Sequence, residues 1–500
     1  MAVSFNYIPA NVRVPLFYAE VDNSMANTAT AEKKALLIGL MGTGTAAAGV
    51  PTLVSTAEQA KVKFGRGSPV ALMAEAFRNQ NTTGELWCLP VACESATAAT
   101  GTVTLAGTAL ESGTLSLYVG SELVALAVSA GTKAADAALS LVAAVNAKQD
   151  LPVKAAIASD GDSTVTLTAK VAGLFANDIL IGKNLRGDVG GEADVSGLNM
   201  TVGGALTGGA GEIDYATAFK AVGAETFWFV GIQDNSATAL DAVKEEFNDS
   251  TGRWSYARMQ YGHVFTTKRG DAESLVTFGK TRNEQHVTVF GIEEGNPEPC
   301  YVVTAAALGR IAGFITNDPA RPVQTGELNG LMQPAVEKRF GFADKNTLLH
   351  NGIATIYYQS GTVMIERAIT TYQVNKFGDA DNSYLDVTTM YTLAEIITRL
   401  KTAITSKYSR HKLANDGTRY GPGQAIVTPN VIRSELIAQY ASMERDGLVE
   451  NAELFAKYLI VERNSSDVNR LDVLLPPDLV NQLRIFALQA QFRLQYSDNA

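Results

Sequence analysis

From residue 489 the chain alternates polar and apolar side chains almost without a break, with Gln489, Gln491, Arg493 and Gln495 set against Ala490, Phe492, Leu494 and Tyr496. A period of two marks a β-strand, and no later segment follows for it to pair with. The other end repeats the pattern: Val3, Phe5 and Tyr7 stand against Ser4 and Asn6, with breakers at Pro9 and Pro15. A half-apolar ribbon left unpaired invites aggregation, so it is either absorbed into its own sheet or donated to a neighbour's. The expectation is that both terminal ribbons are donated to other copies of the chain.

The chain has 500 residues, which implies about two to four domains with substantial cores. Apolar residues make up 46% and charged residues only 18%, with 44 glycines, as in a folded protein with many tight turns. The formal net charge of -10 opposes a nucleic-acid reader, because neutralising phosphates needs a basic surface. Cys88, Cys93 and Cys300 are too few and too scattered for a disulfide framework or a zinc site, which fits synthesis in a reducing compartment. The amino terminus lacks a basic stretch leading into an apolar core, and no run reaches about 18 apolar residues, so neither a signal peptide nor a membrane span is expected. The closest approach, 301–315, carries Arg310 in its middle and suggests a buried helix packed through small residues.

After Lys33 the run ALLIGLMG predicts a strand covered on both faces, as in an α/β layer. Helices over 56–64 and 69–79 and a strand over 86–91 follow, the second helix carrying Pro at its start, where the missing N–H does no harm. Across 95–212 the composition shifts to Thr, Ala, Gly and Val, with Tyr118 and Phe175 the only aromatics. That shift marks a β-rich inserted domain with one helix, AADAALSLVAAVNA, and with the glycine-rich 187–211 as its return linker. Strands over 227–232, 261–266 and 287–292 then alternate with helices over 237–247 and 272–281, which implies a parallel sheet with right-handed crossovers.

The fold class expected is therefore multidomain, α/β with α+β. An arm and linker (1–22) lead to a sheet domain in two pieces (23–94 and 213–345), split by the insertion (95–212). A carboxyl-terminal α+β domain (346–484) and an exchange strand (485–500) complete it. Within the α+β domain a hairpin should turn at Ser360-Gly361, and Leu393, Ile396, Ile397, Leu400 and Ile404 mark an amphipathic helix. A helix over 429–443, a strand KYLIVERN and a short helix after Pro476-Pro477 should follow.

Motifs that could carry chemistry are poor. Gly39-Leu-Met-Gly42-Thr-Gly44 leaves a strand, yet its spacing is not that of a dinucleotide fingerprint and no Gly-Lys-Ser/Thr appears, so a plain tight turn is expected. Histidines 263, 286, 350 and 411 never pair at metal-ligand spacing. Glu293-Glu294 could pose as an acid and base, but a solvated loop at the sheet's carboxyl edge accounts for them. No nucleophile elbow accompanies a histidine, so no catalytic, cofactor or metal residues are assigned. The cluster Lys407, Arg410, His411 and Lys412, with Arg419 beyond, is the densest positive patch. It is either a solvated face or a docking surface for an acidic partner.

Three stretches go further. AALGRIAGFITNDPARPVQTGELNGL (306–331), NRLDVLLPPDLVNQLRIFALQAQFRLQY (469–496) and VSFNYIPANVRVPLFYAEVDNS (3–24) resemble the domain-linking, closing and opening segments of contractile tail sheath proteins of Mu-like myoviruses. The resemblance implies stacked six-membered rings around a tail tube, with baseplate and tail terminator proteins as further partners. It places Val3, Phe5, Tyr7, Ala490, Phe492, Leu494 and Tyr496 in strands shared between subunits. It also puts the region after Leu348 nearest the tube and the insertion outside. A sheath of this kind needs no cofactor, nucleic acid or membrane insertion, and belongs to the virion tail after synthesis in the host cytoplasm.

Overall fold

The computed structural model describes residues 33–93 and 95–494. Ala35–Leu40 is buried at every position, as a strand covered on both faces requires. It pairs in parallel with Leu86–Val91 on one side and Phe229–Ile232 on the other, so strands from both sides of the insertion share one sheet. The full order is Val287–Ile292, His263–Arg269, Phe229–Ile232, Ala35–Leu40, Leu86–Val91 and Thr52–Leu53, with only the last antiparallel. Side-chain caps start the flanking helices: Thr56 caps Ala57–Phe64, Ser236 caps Ala237–Phe247 and Asp271 caps Ala272–Gly279. The helix Cys300–Asn317 is long and apolar enough to cross a membrane, but 67% of it is buried inside the protein. It lies tight against Pro69–Arg78: a Cβ added at Gly309 would sit 2.7 Å from the Phe77 carbonyl oxygen.

The insertion holds two antiparallel sheets. One runs Leu198–Val202, Thr100–Gly107, Thr164–Ala169, Val153–Ile157; the other runs Glu122–Val128, Gly113–Val119, Ile181–Lys183. Helix Ala134–Ala147 buries Ala137, Ala138, Leu141 and Val145. The glycine-rich return is not a linker: Leu198–Val202 forms an edge strand, and Thr207 and Ala210 bridge back to Thr100 and Thr97. Strand partners across the insertion outweigh the local glycine content. Arg269 to Asp178 (2.6 Å) and Ser121 to Glu298 (2.9 Å) fix the insertion on the carboxyl edge of the parallel sheet.

The hairpin Thr355–Gln359 with Thr362–Arg367 turns at Ser360 (φ 51°) and Gly361 (φ 85°), the left-handed pair that matches strand twist. Helix Val387–Tyr408 follows and links two cores. Its first half gives Val387, Tyr391 and Ala394 to the main core, where Tyr391 lies parallel to Trp228 and donates to the Trp228 carbonyl at 2.9 Å. Its second half gives Ile396 and Leu400 to a smaller core with Leu436, Tyr440, Leu448 and Phe455.

Three further expectations are corrected. KYLIVERN is not all strand, because helix Ala452–Tyr458 precedes Ile460–Arg463. Among the described residues no helix follows Pro476-Pro477; Leu479 bridges Val449 instead. Glu293 is buried rather than solvated, accepting from the Tyr358 hydroxyl at 2.5 Å and the Phe340 N–H at 3.1 Å, while Glu294 alone is exposed.

Candidate assembly interface

The smaller core positions a free-standing hairpin. Tyr440 on helix Pro429–Arg445 stacks on Phe455 with centroids 3.7 Å apart. Its hydroxyl donates to the Glu450 carbonyl at 2.8 Å and accepts the Asp478 N–H at 2.9 Å. Arg433 on the same helix donates to the carbonyls of Ala456 and Leu459, closing the end of helix Ala452–Tyr458. Ile460–Arg463 and Leu471–Leu474 leave this platform as a two-stranded antiparallel sheet. Asn464 shapes the turn by accepting the N–H groups of Ser466 and Asp467, both at 2.8 Å. Ile460, Val473 and Leu474 are exposed. Two strands alone are marginal in water; Val461 and Leu471 pack against the smaller core, and among the described residues neither strand has a second ladder partner.

The carboxyl-terminal segment leaves this body in a controlled way. Gln482 donates to the Ala320 carbonyl at 2.6 Å, and the Arg484 guanidinium lies 3.1 Å from Asp386. Beyond Arg484 no secondary structure is assigned through 493, and Ala490 is exposed. Leu483, Ile485, Phe486, Leu488, Phe492 and Leu494 are between 72% and 96% exposed. So much exposed apolar surface on one segment makes it a candidate interaction site. The alternation found Phe492 and Leu494 but missed Ile485, Phe486 and Leu488, whose run IFAL after Arg484 breaks the period of two and was the available signal. Val3, Phe5, Tyr7 and Tyr496 lie outside the described residues.

The basic residues are only partly gathered. Lys407 pairs with Glu435 at 2.8 Å and is spent inside the domain. Arg410, Lys412 and Arg419 are exposed around the short parallel ladder of Lys412–Leu413 with Ile426–Val427, Lys412 reaching Gln424 at 3.2 Å.

The positions considered for chemistry serve packing. A Cβ on Gly44 would lie 2.1 Å from the Lys63 carbonyl oxygen, so this glycine admits close backbone approach rather than a phosphate. His263 bonds Thr288 at 2.7 Å and burial drives its pKa well down; His286 bonds Asp249 at 2.7 Å and burial lowers it too. Among the described residues no group of three His, Cys, Asp or Glu could hold a metal. A cavity of about 290 Å³ at the sheet's carboxyl edge is lined by Asp178, Asp234, Lys268, Arg269 and Tyr301. Its charged groups are bonded within the fold, Lys268 reaching Asn235 at 3.3 Å. Asp178 pairs with Arg269, and burial raises Asp234 to about 6 while it accepts from the Ile213 N–H and the Tyr215 hydroxyl.

A family model for the phage tail sheath protein central domain matches residues 208–371, and one for the phage tail sheath C-terminal domain matches residues 379–493. The chain is 39% identical over 499 residues to the Mu-like prophage FluMu tail sheath protein of Haemophilus influenzae, covering 99% of this chain and 100% of that one. Among solved structures, the sheath tail protein of Desulfitobacterium hafniense matches with a TM-score of 0.50 at 12% identity, over 94% of this chain and 97% of that one. The sheath tail protein of Listeria innocua matches with a TM-score of 0.47 at 11% identity, over 92% and 94%.

Proposed function

The chain belongs to the phage tail sheath family, and from that premise we propose that it is the structural subunit of a contractile tail sheath. Copies stack as six-membered rings around the tail tube, and the stack shortens to drive the tube through the host envelope for genome ejection. The observation that carries this reading is the apolar segment beyond Arg484, exposed in its own chain and issuing from a body that also presents a two-stranded hairpin with open edges. A neighbour's ribbon laid along Ile460–Arg463 or Leu471–Leu474 would satisfy both.

The energetics favour assembly over the isolated subunit. Burying four arm side chains gives about 6–12 kcal/mol at about 1.5–3 each. Ordering about eight backbone residues costs about 8–16 kcal/mol. One arm therefore stays loose on a monomer, and the mesh holds through added ladder hydrogen bonds and many arms acting together. Contraction needs no nucleotide or cofactor: rigid bodies move between two packings while the shared strands stay paired. The chain is not an enzyme on this reading. Its partners are further copies, the tube, and baseplate and terminator proteins; its place is the virion tail, after synthesis in the host cytoplasm. The 346–484 domain faces the tube and the 95–212 insertion faces out, with Arg410, Lys412 and Arg419 at a docking surface for the tube or another partner, while Lys407 is taken up by Glu435.

Deleting residues 489–500 should leave a folded monomer that forms no cylinders in negative-stain micrographs. Normal cylinders from that truncation would refute the arm assignment. A static tail or baseplate component, or the sheath of a phage-derived bacteriocin, would share the polymer; particles imaged before and after triggering tell a shortening sheath from a static one.

A further inference from the structure

Several strand edges in this chain are closed by side chains or by neighbouring backbone. At Thr52–Leu53 the Lys63 ammonium donates to the Leu53 carbonyl at 2.9 Å, and Arg78 donates to the Val54 carbonyl. At Val153–Ile157 the Asn146 side-chain amide takes both backbone groups of Ala155, each at 2.9 Å. Beside Val287–Ile292, Ala354 donates its N–H to the Val289 carbonyl and accepts the Gly291 N–H, both at 2.9 Å. Such covers keep a ladder from extending into another chain.

Glu122–Val128 in the insertion lacks one. It pairs on one side with Gly113–Val119, from Val119 opposite Glu122 to Gly113 opposite Val128, and ends its sheet. The Ser116 carbonyl accepts the Asn184 N–H and the Gly120 N–H reaches the Leu180 carbonyl. Even-numbered residues there thus bond toward Ile181–Lys183, and odd-numbered ones toward Glu122, Val124, Leu126 and Val128. The N–H and C=O groups of Leu123, Ala125 and Ala127 therefore point outward, without a partner among the described residues. Ala125 and Ala127 are exposed and Leu123 is half-buried. The strand holds no lysine or proline, and its one charge, Glu122, stands at its start. Such an edge is a template for a further strand.

The edge's own register names the occupant. Laid antiparallel on itself about Ala125, it sets Leu123 opposite Ala127, Ala125 opposite Ala125 and Glu122 opposite Val128. The larger side chain meets the smaller and no like charges are opposed. The outward residues then form three pairs of two bonds each, about six in all. We propose that two copies of this chain, before assembly, pair two-fold through Glu122–Val128 and join their three-stranded sheets into one. The pairing goes beyond the sheath reading, and only its consequence for assembly rests on that reading. A stack of rings around a tube is polar and holds no such two-fold, so a paired chain is withheld from the stack. The contact is small: the dilute chain stays single, and pairing grows with concentration.

The test uses the full-length chain below its polymerisation threshold. Sedimentation should show monomer passing to dimer as concentration rises, and hydrogen exchange at the Leu123, Ala125 and Ala127 amides of the native chain should slow with it. Ala125→Lys and Ala125→Glu each set like charges about 5.5 Å apart across the two-fold, and each should stay single with melting unchanged. A mixture of the two variants should pair again. Where half of the native chain is paired, Ala125→Lys should form cylinders at about half the native total concentration. A native chain that stays single with unchanged exchange, a lysine variant that still pairs, or oppositely charged variants that ignore each other overturn the proposal. So does a raised polymerisation threshold with melting unchanged, because the edge would then serve the cylinder. A native chain that pairs yet never forms cylinders supports the pairing and counts against the sheath reading alone.

Discussion

The Arg484 guanidinium sits 3.1 Å from Asp386, so a residue near the carboxyl end is clamped to the residue that begins the helix joining the two cores. Arg367 holds the same carboxylate with two bonds, of 3.0 and 2.9 Å, and burial lowers the Arg484 pKa. The clamp fixes where the exposed arm starts.

Removing the shared carboxylate should therefore cost more than removing either base. Asp386→Ala leaves two partly buried guanidinium groups facing each other and is expected to destabilise by about 2–3 kcal/mol, below the range for a fully buried pair. Arg484→Ala leaves the Arg367 pair whole and should cost about 1 kcal/mol or less. Urea unfolding of the two variants measures the difference, and equal losses would contradict the shared clamp.

Gly44→Ala drives a methyl group to within 2.1 Å of a backbone oxygen. The turn must shift, at an expected cost of about 1–3 kcal/mol. Melting curves of the native chain with and without magnesium-ATP should coincide; a rise with nucleotide would reopen the enzyme reading.

Burial raises the Glu298 carboxyl from its ordinary 4.5 to about 7, offset in part by the Met332 N–H and the Ser121 hydroxyl. A carboxyl raised on folding favours the protonated form, so its contribution is whole below about 4.5 and is lost as pH climbs through 7. Asp234, raised to about 6, acts in the same direction. Glu298→Gln should therefore flatten the decline of Tm between pH 5 and 7. Carboxylates with lowered values, such as Asp249, act oppositely, and comparison with the Gln variant cancels them. An unchanged slope would show that Glu298 is not the titrating group.

Phe455 belongs to the smaller core alone. Phe455→Ala should cost about 3–5 kcal/mol, and native-state hydrogen exchange should show the loss beyond Ile396 while the parallel sheet stays protected. Uniform loosening would mean that the helix Val387–Tyr408 couples the two cores into one unit.

Much of the architecture lay in short windows of sequence. The continuous apolar run marked Ala35–Leu40, the patterns over 56–64 and 237–247 marked helices, Ser360-Gly361 marked a hairpin, and the compositional shift after residue 95 marked the insertion. Each is a local consequence of backbone geometry, which a window of a few residues carries. The period of two from residue 489 predicted a strand, but residues 485–493 form none within the chain, and only the exposure of Phe492 and Leu494 agrees with it.

Only the tertiary structure decided which partners those elements take. Leu198–Val202 looked like linker because its glycine neighbours speak for themselves and its ladder partner, Thr100–Gly107, does not. Glu293 looked solvated because Tyr358 and Phe340 are distant in sequence, and Lys407 looked free because Glu435 lies on the next helix. Local propensity is a sum over neighbours along the chain. Burial and charge pairing are set by contacts whose loop closures the whole fold completes at once, so the sequence shows the ribbon and the fold alone shows where it is clamped and what it leaves uncovered.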